Sequence, residues 1–202
     1  MRRTIDILVA LLFLMAASPI LLLVAAAVFL ESPGNPFYGG WRVGRDGVRF
    51  RMWKFRTMVK NAAQMGASIT GRNDPRITRV GNLLRRTKLD EFPQFANVLL
   101  GDMTLVGPRP ESPDIVELYT PGQRAVLAVK PGVTGRVQLD SGEESEHLPD
   151  GAEAREYYVN HLMHDKLRRD LEYLRRRTPL SDAGIVIETA AYVFRACLRK
   201  AA

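Results

Sequence analysis

The sequence predicts an α+β protein, mostly helical. An N-terminal re-entrant membrane helix-break-helix (residues 1–32) is expected to precede a compact cytoplasmic domain (33–202) with a small β element and interfacial amphipathic helices. Three observations carry that expectation. An apolar run from Ile7 to Leu30 holds 24 residues without a charge. Ser18 and Pro19 interrupt it at its centre. Beyond it, helical patterns alternate with Gly- and Pro-rich turns, and one short stretch has strand character.

As a straight helix the run would reach roughly 36 Å at about 1.5 Å per residue, enough to cross a hydrocarbon core of about 30 Å. Pro19 changes that reading, because a mid-helix proline removes one backbone hydrogen bond and crowds the preceding turn. Each arm then has 11 apolar residues and spans only about 16 Å, too little to cross alone. Ser18 can donate to a carbonyl that the proline frees. Arg2 and Arg3 precede the segment, while Arg42, Arg45, Arg49, Arg51, Lys54, Arg56 and Lys60 follow it, and short basic flanks prefer the cytoplasmic face. Both ends are therefore expected on one side. The competing readings are a single kinked span and a cleaved signal peptide, the latter opposed by an apolar region longer than the usual ~7 to 15 residues.

The 202 residues suffice for one domain with a real core. The single cysteine, Cys197, excludes an internal disulfide framework and a cysteine-ligated metal cluster. A net charge of +7 points to an anionic partner. The acidic residues Asp140, Glu143, Glu144, Glu146 and Asp150 gather in a separate stretch, within an acidic loop spanning 140–156.

Pro33, Gly34, Pro36, Gly39 and Gly40 make a turn-rich exit from the apolar segment, after which Val48, Phe50, Met52 and Phe55 predict a short strand or hairpin. Asn61 to Pro75 is polar and reads as a surface loop. Short helices are expected from Ile77 to Arg86 and from Pro93 to Leu100, the second stopped by Gly101. Pro108, Pro110 and Pro113 make residues 105–113 an extended connection, with a restrained backbone at Arg109. From Glu153 the chain reads as two helices with a break near Thr178 and Pro179. The last, about Asp182 to Arg199, places Ile185, Thr189, Tyr192, Val193 and Ala196 on one face, to pack in the core or lie on a membrane.

The strongest polar cluster is Lys88-Leu89-Asp90-Glu91-Phe92-Pro93-Gln94, in which two adjacent carboxylates stand at a helix entry. Adjacent side chains diverge on a regular helix, so convergence requires the irregular turn that Pro93 permits. A carboxylate there could bind magnesium or attack phosphorus. The structural alternative is a capping box formed by Thr87 and Asp90. Arg85, Arg86, Lys88 and Arg109, with Lys54 and Arg56, supply cations for phosphate, arginine being suited to bidentate contacts. No P-loop, serine elbow or His-Glu-x-x-His pattern is present, and His161 and His164 lack an evident third ligand.

Taken in order, several segments resemble the small monotopic phosphoglycosyl transferases, the bacterial sugar transferases. They are the apolar hairpin with Ser18-Pro19, Lys54-Phe55-Arg56-Thr57-Met58, Leu89-Asp90-Glu91-Phe92-Pro93-Gln94 and Asn97-Val98-Leu99. Gly101-Asp102-Met103, Val106-Gly107-Pro108-Arg109-Pro110-Glu111 and Lys130-Pro131-Gly132-Val133-Thr134-Gly135 complete the set. The resemblance extends to about Gln138. It implies transfer of a sugar 1-phosphate from a UDP-sugar to polyprenyl (undecaprenyl) phosphate, with release of UMP and Mg2+ as cofactor. Asp90 would be the nucleophile and a metal ligand, and Glu91 would support the metal or orient Asp90. Arg85 and Arg109, then Lys54 and Arg56, would bind phosphate, and Ser18-Pro19 would break the re-entrant helix. The implied place is the cytoplasmic face of the bacterial inner membrane, with the lipid bilayer as partner and no nucleic acid. A homodimer is compatible with such a mount. After Gln138 the chain departs from the family, reading Leu139-Asp140-Ser141-Gly142 in place of an Asn-Gly-Arg type of continuation. The alternatives are a membrane-tethered basic adaptor for lipid or RNA, in which Asp90 only caps a helix, and a metal-dependent phosphatase.

Overall fold

A long apolar helix, α1 (Arg2–Glu31), lies against a body of short helices and two small sheets. This computed structural model describes residues 2–62, 65, 74–142, 148–149 and 153–198. Glu143, Glu144, Glu146 and Asp150, most of the loop expected between Asn61 and Pro75, and Arg199 fall outside them. The chain is mostly helical, as expected.

The expected division of α1 into two helices is not seen: the segment is helical from Arg2 through Glu31, with Pro19 inside it. The local chemistry explains the tolerance. Pro19 lacks the N–H that would bond the Met15 carbonyl one turn back, and the Ser18 hydroxyl donates to that carbonyl at 2.8 Å. Ala10, Ala17 and Val28 are the buried residues of α1. Their spacings of seven and eleven put them on a single stripe, so the helix meets the body along its length. Its other faces expose Leu8, Leu12, Met15, Leu22, Leu23 and Leu30.

Both ends of α1 are fastened. The Arg3 guanidinium donates to the Val98 and Leu99 carbonyls, and Asp6 accepts from the Thr104 hydroxyl at 2.6 Å and from the Leu105 N–H at 3.3 Å. At the far end the Glu31 carboxylate accepts from the N–H groups of Arg79 and Val80, each at 2.9 Å.

The expected hairpin forms from β1 (Phe37–Val43) and β2 (Arg49–Phe55), antiparallel with Phe37 opposite Phe55 and Val43 opposite Arg49. In β2, Phe50 and Met52 turn inward with Ala10, Val98 and Met103, and period two carries Lys54 onto the same face. Next come α2 (Arg79–Thr87), capped by the Thr78 hydroxyl, and α3 (Gln94–Leu100), ended by Gly101 at φ 96°. These match the two expected helices within two residues.

Asn97 of α3 is fully buried and ties that helix to β2. Its Oδ1 accepts from the Trp53 N–H at 2.9 Å, and its Nδ2 donates to the Arg51 carbonyl at 2.8 Å and to Asp102 at 3.1 Å. Asn97→Leu leaves an N–H and a carbonyl unsatisfied in the core. It is expected to cost about 2–4 kcal/mol, read as a lower thermal unfolding midpoint in detergent.

The strand β3 (Thr104–Val106) pairs in parallel with β4 (Gly132–Thr134). Between them lie α4 (Pro113–Val116) and a 3-10 turn at Gln123–Ala128. The crossing of residues 107 and 132 is close. A Cβ on Gly132 would stand 2.1 Å from the Gly107 nitrogen, so only glycine allows this approach. α5 (Arg136–Ser141) and α6 (Glu153–Tyr157) follow. A π turn at Tyr158–Leu162 then leads into α7 (Met163–Arg176), and the chain closes with α8 (Pro179–Leu198). The break at Thr178 and Pro179 is where the sequence places it, whereas the π turn has no sequence signal. Of the predicted face of α8, Ile185 is buried with Leu105 and Val106, and Thr189 bonds the Thr134 hydroxyl at 2.7 Å.

Candidate active site

Asp90 and Glu91 lie in a 3-10 turn, Leu89–Glu91, that joins α2 to α3. Lys88 opens the turn in the left-handed region at φ 62°, and Pro93 closes it at the start of α3. This is the irregular turn that two converging carboxylates require. The capping-box alternative fails. The Thr87 hydroxyl belongs to the end of α2 and donates to the Leu83 and Leu84 carbonyls, at 2.8 and 3.2 Å. Asp90 caps nothing, and its Oδ1 is buried with no hydrogen-bond partner among the described residues.

The two carboxylates are placed in opposite electrostatic situations. Glu91 Oε1 accepts from Lys54 Nζ and from Arg109 Nη2, both at 2.6 Å, and Oε2 accepts from Arg109 Nη1 at 3.2 Å. Burial alone would raise its pKa. Arg109 and then Lys54 overcome burial and hold it well below the usual carboxylate range. Asp90, only 5 % exposed, has no such pairing. Burial pushes its carboxyl up to about 6, with Lys54 opposing and Glu91 reinforcing the shift. Lys54 is itself pulled down by burial, against the charge of Glu91. One carboxylate thus stays ionised as the anchor of two cations, while the other is poised near neutrality with a buried oxygen that has no hydrogen-bond partner among the described residues.

The arm that delivers Arg109 is pinned on both sides. Gly107 N–H donates to the Thr134 carbonyl, Gly132 N–H to the Pro108 carbonyl and Val43 N–H to the Glu111 carbonyl, each at 2.9 Å. With Pro108 and Pro110 fixing their own φ, the backbone that carries Arg109 has little freedom.

A cavity of about 710 Å3 opens over this turn. Of the residues singled out in the sequence, Lys54, Arg85, Lys88, Asp90, Glu91 and Arg109 line it together. Arg56 does not: its guanidinium donates to the Ser32 carbonyl and ties the exit of α1 to the hairpin. Ser18 and Pro19 are absent from the wall as well, although Ile20 and Phe13 of the same helix contribute to it.

Wall residues that escaped the sequence reading as site candidates include Arg42, Glu111 and Tyr158. Glu111 accepts from Lys166 Nζ at 2.8 Å and from the Tyr158 hydroxyl, and Lys166 with these partners holds its pKa down against burial. Only Glu111 carried a signal, its place in the Pro-Arg-Pro-Glu segment. The partners lie 47 and 55 residues away, the first within the π turn. Asp140, where the sequence departs from the family, accepts from Arg136 Nε at 2.8 Å and Arg169 Nη2 at 2.6 Å. His161 packs against the Tyr157 ring at a tilt of 38°, and His164 Nδ1 lies 2.7 Å from Gln123 Nε2.

The donor set fits magnesium better than a softer metal. It offers two carboxylates, one with a buried oxygen that lacks a hydrogen-bond partner among the described residues, and such a site is completed by substrate phosphates and water. Among the described residues no group of three His, Cys, Asp or Glu converges to bind a metal without those additions.

Residues 1–196 match the family model for bacterial sugar transferases. The chain is 39% identical over 206 residues to the UDP-glucose:undecaprenyl-phosphate glucose-1-phosphate transferase of Escherichia coli (strain K12), covering 100% of this chain and 41% of that protein. It is 34% identical over 210 residues to the undecaprenyl-phosphate galactose phosphotransferase of Salmonella typhimurium, covering 96% of this chain and 40% of that protein. With the exopolysaccharide production protein ExoY of Sinorhizobium fredii it shares 39% identity over 153 residues, 68% of each. The chain thus spans about two fifths of the length of the first two relatives.

Proposed function

This chain belongs to the bacterial sugar transferase family, and on that premise we propose that it moves a sugar 1-phosphate from a UDP-sugar to undecaprenyl phosphate. The reaction runs through a covalent phosphosugar on Asp90, at the cytoplasmic face of the bacterial inner membrane. Asp90 carries this reading: it is a buried carboxylate with an unpartnered oxygen and a pKa near 6, facing a cavity with a cationic wall. A carboxylate that is ionised at neutral pH yet more basic than usual is the better nucleophile.

In the first step an Asp90 oxygen attacks the phosphorus that bears the sugar. The bond from that phosphorus to the bridging oxygen breaks, and UMP leaves with the electron pair. In the second step an oxygen of undecaprenyl phosphate attacks the same phosphorus, and the Asp90 carboxylate departs to give the lipid diphosphate sugar. Arg85 and Lys88 offset the charge of the entering phosphates. Arg109 and Lys54 are held by Glu91 at the same wall, so their charge is preorganised rather than recruited. Magnesium, held by Asp90 and Glu91 with the substrate phosphates, would supply further stabilisation of negative charge.

Membrane placement follows the same residues. A straight helix of 30 residues is about 45 Å long, and one that crossed a bilayer away from the body would touch it at one end only. Here Arg3 and Glu31 both bond to the body, which supports placing both ends of the helix on the same face of the membrane. Cysteine accessibility labelling at the two ends of α1 in intact inner-membrane vesicles is expected to report one side, and Pro19→Leu to shift part of the population to opposite sides. Opposite sides for the wild type would sink this arrangement.

The transfer itself is tested with detergent-purified protein, magnesium and a panel of UDP-sugars, with and without undecaprenyl phosphate. Lipid-dependent UMP release and a phosphosugar mass adduct are expected. The adaptor reading predicts neither, and a phosphatase would give free phosphate.

A further inference from the structure

The cavity over Asp90 does not end at the charged turn. It continues as one space between α1 and the second half of α8, and there its wall changes character. On the α1 side Phe13 stacks on Phe95 with ring centroids 3.9 Å apart and meets the edge of Phe92 at 4.8 Å, so the aromatic group begins at the residue after Glu91. On the α8 side the wall is mainly Val186, Ala190, Val193 and Phe194, with Thr189, Tyr192 and Cys197 beside them. One end of the space therefore presents Lys54, Arg85, Lys88 and Arg109, and the other presents hydrocarbon and aromatic faces.

Two features show how a ligand reaches the apolar end. The α1 residues at this wall, Val9 and Ile20, are themselves exposed, 36% and 49%, on the helix that carries the membrane-length apolar run. The chamber thus borders the surface that meets lipid. On the other side α8 is anchored by its first half, through Ile185 in the core and Thr189 on Thr134, and none of its described residues beyond Ile185 is buried. Its second half forms a wall backed on one side only, with Phe194 65% exposed.

A chamber that is cationic at one end and apolar at the other, and open beside a lipid-facing helix, matches an anionic amphiphile. Its apolar end does not match a nucleotide sugar, whose phosphates, ribose and sugar are polar. We propose that the space between α1 and the second half of α8 is the subsite for the isoprenoid tail of the acceptor, with Ala190 and Val193 among the residues that read its first isoprene units. The inference rests on the transferase reading above and adds to it which elements recognise the lipid. The acceptor phosphate would lie at Arg85 and Lys88, and its tail would leave past Phe13 and Phe95 toward the bilayer.

Ala190 is exposed at this wall, so a larger side chain fills the chamber without entering the core. The test compares two acceptors, undecaprenyl phosphate and a two-isoprene phosphate, in wild type, Ala190→Trp and Val193→Asn, each as the full chain in detergent with magnesium. Because the readout is the ratio of kcat/KM for the two acceptors, a general loss of activity cancels. Both variants are expected to lower the long-to-short ratio at least tenfold, through KM for the long acceptor. A phosphosugar adduct formed without acceptor, measured by intact mass in the same samples, reports the first step separately. An unchanged ratio in both variants, with the wild-type adduct present, overturns the subsite and leaves the transferase reading standing. A wild type that forms no adduct with any UDP-sugar overturns the transferase reading, and this subsite with it.

Discussion

Asp90→Asn is expected to abolish turnover while raising the melting temperature. The activity side follows from the mechanism: an amide cannot form the acyl phosphate, and removal of a covalent nucleophile costs at least about four orders of magnitude in kcat. The stability side follows from the pKa. Burial lifts Asp90 from an ordinary 3.8 to about 6, so the folded protein holds a charge it disfavours. That difference corresponds to about 3 kcal/mol. The sign is opposite to that of a paired carboxylate. Above pH 6 both folded and unfolded Asp90 are ionised and the penalty is complete. As pH falls from 6 to 4 the folded state takes up its proton first, and the penalty disappears. The gap in melting temperature between Asp90→Asn and wild type should therefore be widest above pH 6 and close toward pH 4. A gap independent of pH would contradict the burial argument. In the wild type, kcat/KM for UDP-sugar should fall tenfold per unit below about pH 6, where Asp90 is protonated. Measured in one buffer series, the gap in melting temperature should begin to close at the pH where kcat/KM begins to fall, near 6.

The site was legible in the sequence to the extent that its signals were local. Pro93 and the adjacent carboxylates predict an irregular turn, and Gly101 predicts the end of α3. Both signals act within a few residues, where steric rules decide the backbone. The cations were a harder case. Lys54 and Arg56 stand two apart in one basic run and look equivalent, yet Lys54 continues the inward face of Phe50 and Met52 while Arg56 lies beyond the strand and binds the Ser32 carbonyl. Period two would put both on one face, so it is the end of the strand at Phe55, and not its periodicity, that separates them. No local rule gives the long-range pairs: Arg3 on the end of α3, Glu31 on the start of α2, or Tyr158 and Lys166 on Glu111. Those contacts depend on how helices dock. The same limit explains Pro19, whose lost hydrogen bond predicts a break when counted alone. In the folded chain the Ser18 hydroxyl satisfies the Met15 carbonyl, and Ala10, Ala17 and Val28 hold the helix on the body.

Glu91 gives the second large effect, because it acts on both stability and the neighbouring pKa. Its carboxylate is the shared counterion of Lys54 and Arg109, all three partly buried with side-chain exposures of 17, 21 and 22%. Removing one member of such a group leaves uncompensated charge in a poorly solvated site, and Glu91→Ala should destabilise by about 3–5 kcal/mol. Glu91→Gln keeps the shape and one acceptor oxygen, so it should retain more stability and allow the chemistry to be read. Two consequences then separate an electrostatic role from a purely structural one. Glu91 is among the groups that raise the Asp90 pKa and Lys54 among those that lower it. Neutralising Glu91 removes the first and frees the second, so the acid limb of the pH profile must move below 6. The catalytic cost should be about 10²–10³ in kcat, the range for losing one preorganised electrostatic contact. Arg109→Lys should reproduce part of that loss, since a lysine cannot span both Glu91 oxygens as the guanidinium does. If Glu91→Gln lowers kcat but leaves the acid limb at 6, Glu91 only positions the two cations and does not set the basicity of the nucleophile.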